Sequence, residues 1–179
     1  MSFTTQLLRG VRVTVVLWML TVVVITLPML GLARLVAPDA ATGSLLRRGD
    51  QVVGSRLIGQ PFRSPRYLQG RPAGEPNLAP SNPALAVRVA EAASVWELAG
   101  VSQPAPDLLL DSASGVDPHI SLEAARQQFP RLARERQISI RELEALLPQV
   151  QEGPFGLQAA QPVVNVLRFN LALDSLRPS

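Results

Sequence analysis

The chain has no cysteine, only one histidine, and no lysine, so that all 17 of its basic residues are arginine. Each absence excludes a class of chemistry. Without cysteine there is no thiol nucleophile, no disulfide and no iron–sulfur ligand set. Without lysine there is no Walker-A phosphate lysine, no Schiff base and no kinase-type lysine, and one histidine cannot build a two-histidine metal helix. Acid is also missing from one end: residues 1–36 hold Arg9, Arg12 and Arg34 but no Asp or Glu. The rest of the chain carries 14 arginines against 14 acids, so the isoelectric point near 10.8 reflects the N-terminal region alone. A formally neutral body is a poor footprint for DNA or RNA, and no nucleic-acid partner is expected.

What is present is a long apolar run. Residues 13–33 are 21 uncharged positions, 16 of them apolar and the others Thr14, Thr21, Thr26, Pro28 and Gly31. At about 1.5 Å per residue such a helix reaches roughly 31 Å, about one hydrocarbon thickness. The run exceeds the apolar core of a cleaved signal peptide, and Leu32-Ala33-Arg34-Leu35 is a poor cleavage site. The expected organisation is a short cytoplasmic N-terminus (1–12), an uncleaved transmembrane helix (13–36) surrounded by membrane lipid, and one soluble domain (37–179). Pro28 is expected to kink the outer third of the span. Arg9 and Arg12 before it, against the boundary Arg34 and the more distant Arg47 and Arg48, lean towards a cytoplasmic N-terminus and an extracytoplasmic body.

The body reads as mixed α/β (α+β). Residues 37–50 look like a polar connection and 51–58 like a strand. Between 61 and 83 lie six of the 16 prolines, which predicts an ordered, extended surface loop or a linker. Ser81 or Asn82, followed by Pro83, predicts a helix start, with Leu85, Val89, Ala92 and Trp96 on one face and Gly100 as the stop. Leu108-Leu109-Leu110 reads as a short buried strand. Ser121 is expected to cap a helix that Phe129-Pro130 interrupts, Ser139 and Glu142 have capping-box spacing, and 163–169 reads as a strand.

The candidate chemistry is thin. Gly54 and Gly59 have P-loop spacing, but Gln60 and Pro61 stand where Lys and Ser/Thr are required. Asp117, His119 and Ser121, with Ser112 and Ser114 upstream, contain the residue types of a serine hydrolase. Residues two apart in a turn do not form the relay of a triad, and no G-x-S-x-G elbow occurs. The simpler reading is an Asp117-Pro118 turn followed by a capping Ser121. Arg126, Arg131, Arg134, Arg136 and Arg141 read as a solvated helical face with local ion pairs.

Several strings together resemble one family, the C subunit (KdpC) of the Kdp potassium-transporting P-type ATPase. They are Gly54-Ser55-Arg56-Leu57-Ile58-Gly59-Gln60, Tyr67 with Gly70-Arg71-Pro72, Asn77-Leu78 through Pro80-Ser81-Asn82-Pro83, Asp117-Pro118-His119-Ile120-Ser121, Pro130-Arg131, Val164-Asn165-Val166-Leu167 and Asn170-Leu171-Ala172-Leu173. They occur in the family's order after a single N-terminal span. The bridge at 73–76 is shorter than usual in the family, Ala73 replaces a usual Ser, and Ala79 and Ala113 replace usual glycines. The resemblance implies a non-catalytic subunit in the cell's inner (plasma) membrane. Its partners would be a channel-like potassium-translocating subunit, an ATP-hydrolysing subunit and a small single-span subunit. The family is described as a catalytic chaperone that raises the ATP affinity of the hydrolysing subunit; ATP is implied only through that subunit, and no metal site is expected. Gly59, Gln60, Arg71, Pro72, Ser81, Asn82, Pro83, Asp117, Pro118 and His119 are the expected structural or docking residues. A free-standing anchored binding module and an anchored hydrolase using Ser114 or Ser121 with His119 are the alternatives.

Overall fold

In the computed structural model, residues 2–72, 78–153 and 161–176 are described; the bridge at 73–76 lies outside them. The chain forms two compact units, Met1–Leu45 and Leu46–Ser179.

The first unit is dominated by one continuous helix, Phe3–Val36, with a mean hydropathy of 2.5 and no buried residue. It starts ten residues before the uncharged run and is long and apolar enough to cross a membrane. It consists of α1 (Phe3–Thr21), a π-helical turn (Val22–Thr26) and α2 (Leu27–Val36). The π turn directly precedes Pro28, whose ring crowds the carbonyl four residues back; widening the turn relieves that crowding. A single turn, α3 (Pro38–Ala41), follows within the stretch expected to be a plain polar connection.

The second unit opens on a two-stranded sheet of β1 (Leu45–Arg48) and β2 (Gln51–Ser55), so the strand expected to reach residue 58 stops three residues earlier. Then come α4 (Pro83–Leu98), α5 (Pro106–Leu109), β3 (His119–Ser121), α6 (Leu122–Gln127), α7 (Phe129–Arg136), α8 (Ile140–Val150), β4 (Gln151–Glu152), β5 (Val163–Asn165) and α9 (Val166–Leu176). The larger sheet is antiparallel with order β3-β5-β4, pairing Ile120 with Val164 and Gln151 also with Val164. The result is the mixed helix-and-sheet fold that the pattern predicts.

The helix starts follow from local chemistry. Asn82 Oδ1 accepts from the Ala84 N–H at 3.0 Å, and Ser121 Oγ from the Ala124 N–H at 3.1 Å. Ser139 and Glu142 close a full capping box at α8, just after Gln137 ends α7 in the left-handed region (φ 55°). The α4 face predicted from spacing is the inward one, with Trp96 buried and its indole N–H donating to the Leu108 carbonyl at 3.0 Å. Phe129 and Phe169 stack at 5.8 Å in a core that includes Leu68, Leu132, Leu143 and Leu173.

Two expectations are corrected and a third is refined. Leu108-Leu109 lie in a helical turn, because Pro106 presets the first helical φ and Asp107 sits in its first turn. The predicted strand at 163–169 breaks after Asn165 into α9. There Asn165 turns its side chain back on the helix start, Oδ1 accepting from the Arg168 N–H at 3.2 Å. The proline-rich segment is extended, with Pro61 and residues 63–66 exposed as expected of a surface loop, and it dips inward at Leu68, which is fully buried. Its backbone polar groups are met by distant side chains. The Asn170 amide takes both main-chain groups of Leu68, at 2.8 and 2.9 Å, and the Gln128 amide takes both of Gln69, each at 2.9 Å. Arg131 donates to the carbonyls of Pro65 and Tyr67. Side chains thus do for residues 65–69 what a neighbouring strand does in a sheet.

Candidate functional site

Six of the ten residues singled out from the sequence converge on one cleft in the second unit, with a volume of about 310 Å³. Gly59, Gln60, Arg71, Pro72, Asp117 and Pro118 line it, together with apolar surface from Phe62, Val95, Trp96, Leu108 and Val166. Gly59 is fixed there by a close approach of two backbones. Its N–H donates to the Val116 carbonyl at 2.7 Å, and a Cβ at this position would stand 2.7 Å from the Asp117 carbonyl oxygen. The glycine therefore joins the segment after β2 to the turn before β3.

Arg71 spans the cleft floor. It pairs with Asp107 and faces Asp117 at 3.6 Å, and its buried Nε has no hydrogen-bond partner among the described residues. Asp107 also accepts the Ser121 N–H at 2.8 Å, tying the floor to β3. Asp117 turns its Oδ1 onto the His119 N–H at 3.0 Å, the Asx-type turn expected of Asp117-Pro118. From there a line of polar contacts runs out of the cleft. His119 Nδ1 lies 3.1 Å from Asp117, its Nε2 lies 3.1 Å from Glu152, and Arg168 donates to Glu152 at 2.7 Å. Burial by itself raises the Glu152 pKa, the largest single influence; the hydrogen bonds and charges of Arg168 and His119 together outweigh it and hold the carboxyl below its ordinary value.

Not every expected residue joins the cleft. Ser81, Asn82 and Pro83 form the start of α4, where Asn82 is the cap. His119 sits beside the cleft, engaged by its two carboxylates. Ser121 caps α6, Ser114 Oγ accepts from the Val116 N–H, and no hydrogen bond joins either serine to His119 among the described residues. No cluster of three His, Asp or Glu that could hold a metal ion occurs among the described residues either. The basic cluster divides in two. Arg126 pairs with Glu144 and Arg134 with Glu135 at the surface, as expected. Arg131 and Arg136 are instead buried, 9 % and 8 % exposed, which corrects the reading of one solvated face. Burial lowers the Arg131 pKa, and its guanidinium holds backbone carbonyls rather than an acid. Arg136 donates to the Arg66 carbonyl at 2.8 Å and to Asp174 at 2.6 Å, with its guanidinium 4.7 Å from the centre of the Tyr67 ring.

Sequence reasoning did not single out Gln128, and it gave Asn165 and Asn170 no physical role. Asn165 Nδ2 donates to the Arg56 carbonyl at 2.8 Å, holding the segment that leads to Gly59. Asn170 carried a readable signal, an amide on a helix face otherwise occupied by Val166 and Leu173. Gln128, between two helices, carried none.

Comparison with known proteins bears on the resemblance as a whole. A family described as "KdpC: K+-transporting ATPase, c chain" matches residues 7–175. The chain is 40% identical over 204 residues to "Potassium-transporting ATPase KdpC subunit 1" of Nostoc sp., with 100% of both chains covered. It is 42% identical to the KdpC subunit of Synechocystis sp., covering 93% of this chain and 96% of that one. It is 43% identical to the KdpC subunit of Yersinia pseudotuberculosis, covering 81% and 80%. With a family match over residues 7–175, relatives about 40% identical over its full length and an apolar N-terminal helix, the chain belongs to the KdpC family, the c chain of the potassium-transporting ATPase.

Proposed function

We propose that this protein is the anchored, non-catalytic accessory subunit of an ATP-driven potassium uptake pump, stabilising the assembly through its membrane helix and its cleft-bearing body. The observation that carries this reading is what the family strings do in the fold. Gly59, Gln60, Arg71, Pro72, Asp117 and Pro118 line one cleft, and Asn165 and Asn170 clasp the segments leading to it. That is the layout of a docking surface that combines apolar lining with a few fixed polar groups. His119, the residue that base catalysis would need, is engaged on both ring nitrogens by carboxylates.

The partners are the channel-like potassium-translocating subunit, the ATP-hydrolysing subunit and a small single-span subunit. Arg9 and Arg12 before the span favour a cytoplasmic N-terminus and a body outside the cytoplasm, in the inner (plasma) membrane. ATP then belongs to the hydrolysing subunit. Any rise in its nucleotide affinity caused by this chain travels through helix packing in the membrane, as a coupling free energy between distant sites.

Gentle detergent extraction tests the role: the tagged chain should co-purify with the larger pump subunits, and recovery as a lone species would favour a free-standing module. Orientation is read by single cysteines at the exposed Ser102 and Gln151, in a chain with no other thiol. An impermeant reagent should label them in intact cells with a permeable outer envelope; labelling only after lysis would reverse the topology.

A further inference from the structure

The inference concerns the interior of the membrane helix and rests on reading the chain as a pump subunit. In the π turn, the Leu27 N–H donates to the Val22 carbonyl. A regular α-helix would have brought that N–H to Val23, and a π-helix would have brought Val23 the N–H of residue 28. The first donor is committed to Val22, and the second does not exist, because residue 28 is proline. The Val23 carbonyl is thereby deprived of both main-chain donors.

Its position makes this consequential. Val23 is the midpoint of the uncharged run 13–33, so the carbonyl falls in the driest part of the bilayer, where an unpaired backbone group is most costly. One turn on stands Thr26, whose hydroxyl has no partner among the described residues. Thr21 is different, since its hydroxyl already donates to the Leu17 carbonyl at 2.9 Å. Both Val23 and Thr26 are exposed, and no residue of the helix is buried.

We infer that the Val23 carbonyl and the Thr26 hydroxyl form a polar notch that seats a side-chain hydrogen-bond donor on a transmembrane helix of another pump subunit. The donor is an amide, hydroxyl or indole N–H at mid-bilayer depth. Within this span the indole of Trp18 is displaced by five residues, about 140° around a helix, which takes it off the notch face. Pro28 thus does more than bend a helix: it creates the acceptor by which the anchor is recognised.

The test uses the assembled pump. Pro28→Ala supplies the missing N–H, lets the turn return to α geometry and gives Val23 its own donor, so the variant helix should insert and form normally. After a detergent challenge it should be retained in the complex about 3- to 20-fold less than the unaltered chain, the loss expected for one interhelical hydrogen bond. Thr26→Val, which leaves Pro28 in place, should lose retention to a smaller extent. A photoreactive probe on Thr26→Cys should cross-link to a different pump subunit. Unchanged retention of Pro28→Ala, or cross-links only to lipid or to a second copy of this chain, would overturn the notch. Failure of the unaltered chain to co-purify at all would instead sink the subunit reading.

Discussion

Replacing Asn170 by alanine tests the account of how the cleft is held in place. Asn170 is 2 % exposed, and its amide is the hydrogen-bond partner of both main-chain groups of the fully buried Leu68. Truncation strands one buried N–H and one buried C=O, at about 1–3 kcal/mol each. The desolvation of the asparagine amide itself is no longer incurred, which leaves a net loss of about 2–4 kcal/mol. With a urea m value of about 2 kcal/mol/M, the middle of the usual range, the unfolding midpoint should fall by roughly 1–2 M. The assay is urea unfolding of the detergent-solubilised chain, followed by Trp96 fluorescence in a Trp18→Phe background, because the sequence has just these two tryptophans. Arg126→Ala, which removes only the surface pair with Glu144, should leave the midpoint unchanged. Asn170→Asp keeps the acceptor for the Leu68 N–H but strands its carbonyl, and should also be destabilised. A midpoint for Asn170→Ala matching that of the unaltered chain, with the same m value, would refute the claim that side-chain amides hold residues 65–69.

Two further outcomes are expected. Gly59→Ala puts a Cβ 2.7 Å from the Asp117 carbonyl oxygen and should cost about 1–3 kcal/mol in the same assay; a neutral result would mean that the two backbones separate freely. Glu152 has a folded-state pKa below its ordinary value of 4.5, so its contribution is fully present above that value and is lost as pH falls through the folded one. Glu152→Gln should therefore show a flatter dependence of urea midpoint on pH than the unaltered chain between about pH 5 and pH 3, and parallel curves would contradict the pairing with Arg168 and His119.

What could be read from the sequence was local chemistry. Asn82, Ser121 and Ser139 announced their helices because a cap is decided within three residues, and the anchor announced itself by its apolar length. The family strings marked the polar turns at Gly59-Gln60, Arg71-Pro72 and Asp117-Pro118 that meet in the cleft, but not, Val166 aside, its apolar lining, and Ser81, Asn82 and Pro83 went to a helix start instead. The inward dip at Leu68 was hidden, since proline density and polarity say surface while the partners of residues 68 and 69 lie 59 to 102 residues further along. Arg131 and Arg136 read as surface residues for the same reason: nothing near them in the chain shows that backbone carbonyls will come to meet them. Asn165 was hidden in the apolar string 163–169, where an amide that starts a helix looks like an interruption in a strand.

Asp174 gathers Arg48, Arg136 and the Tyr67 hydroxyl, so its helix joins the opening hairpin, the proline-rich segment and α7. Together with β5, which is the middle strand of the larger sheet, that places the keystones of the body among the elements synthesised last. A nascent chain anchored by its first helix would carry more than a hundred residues of unfinished body until β5 and α9 emerge. Acquisition of structure is then a single late event rather than a progressive one, and a ribosome that stalls before residue 163 would leave an anchored but unfolded tether for proteases to clear.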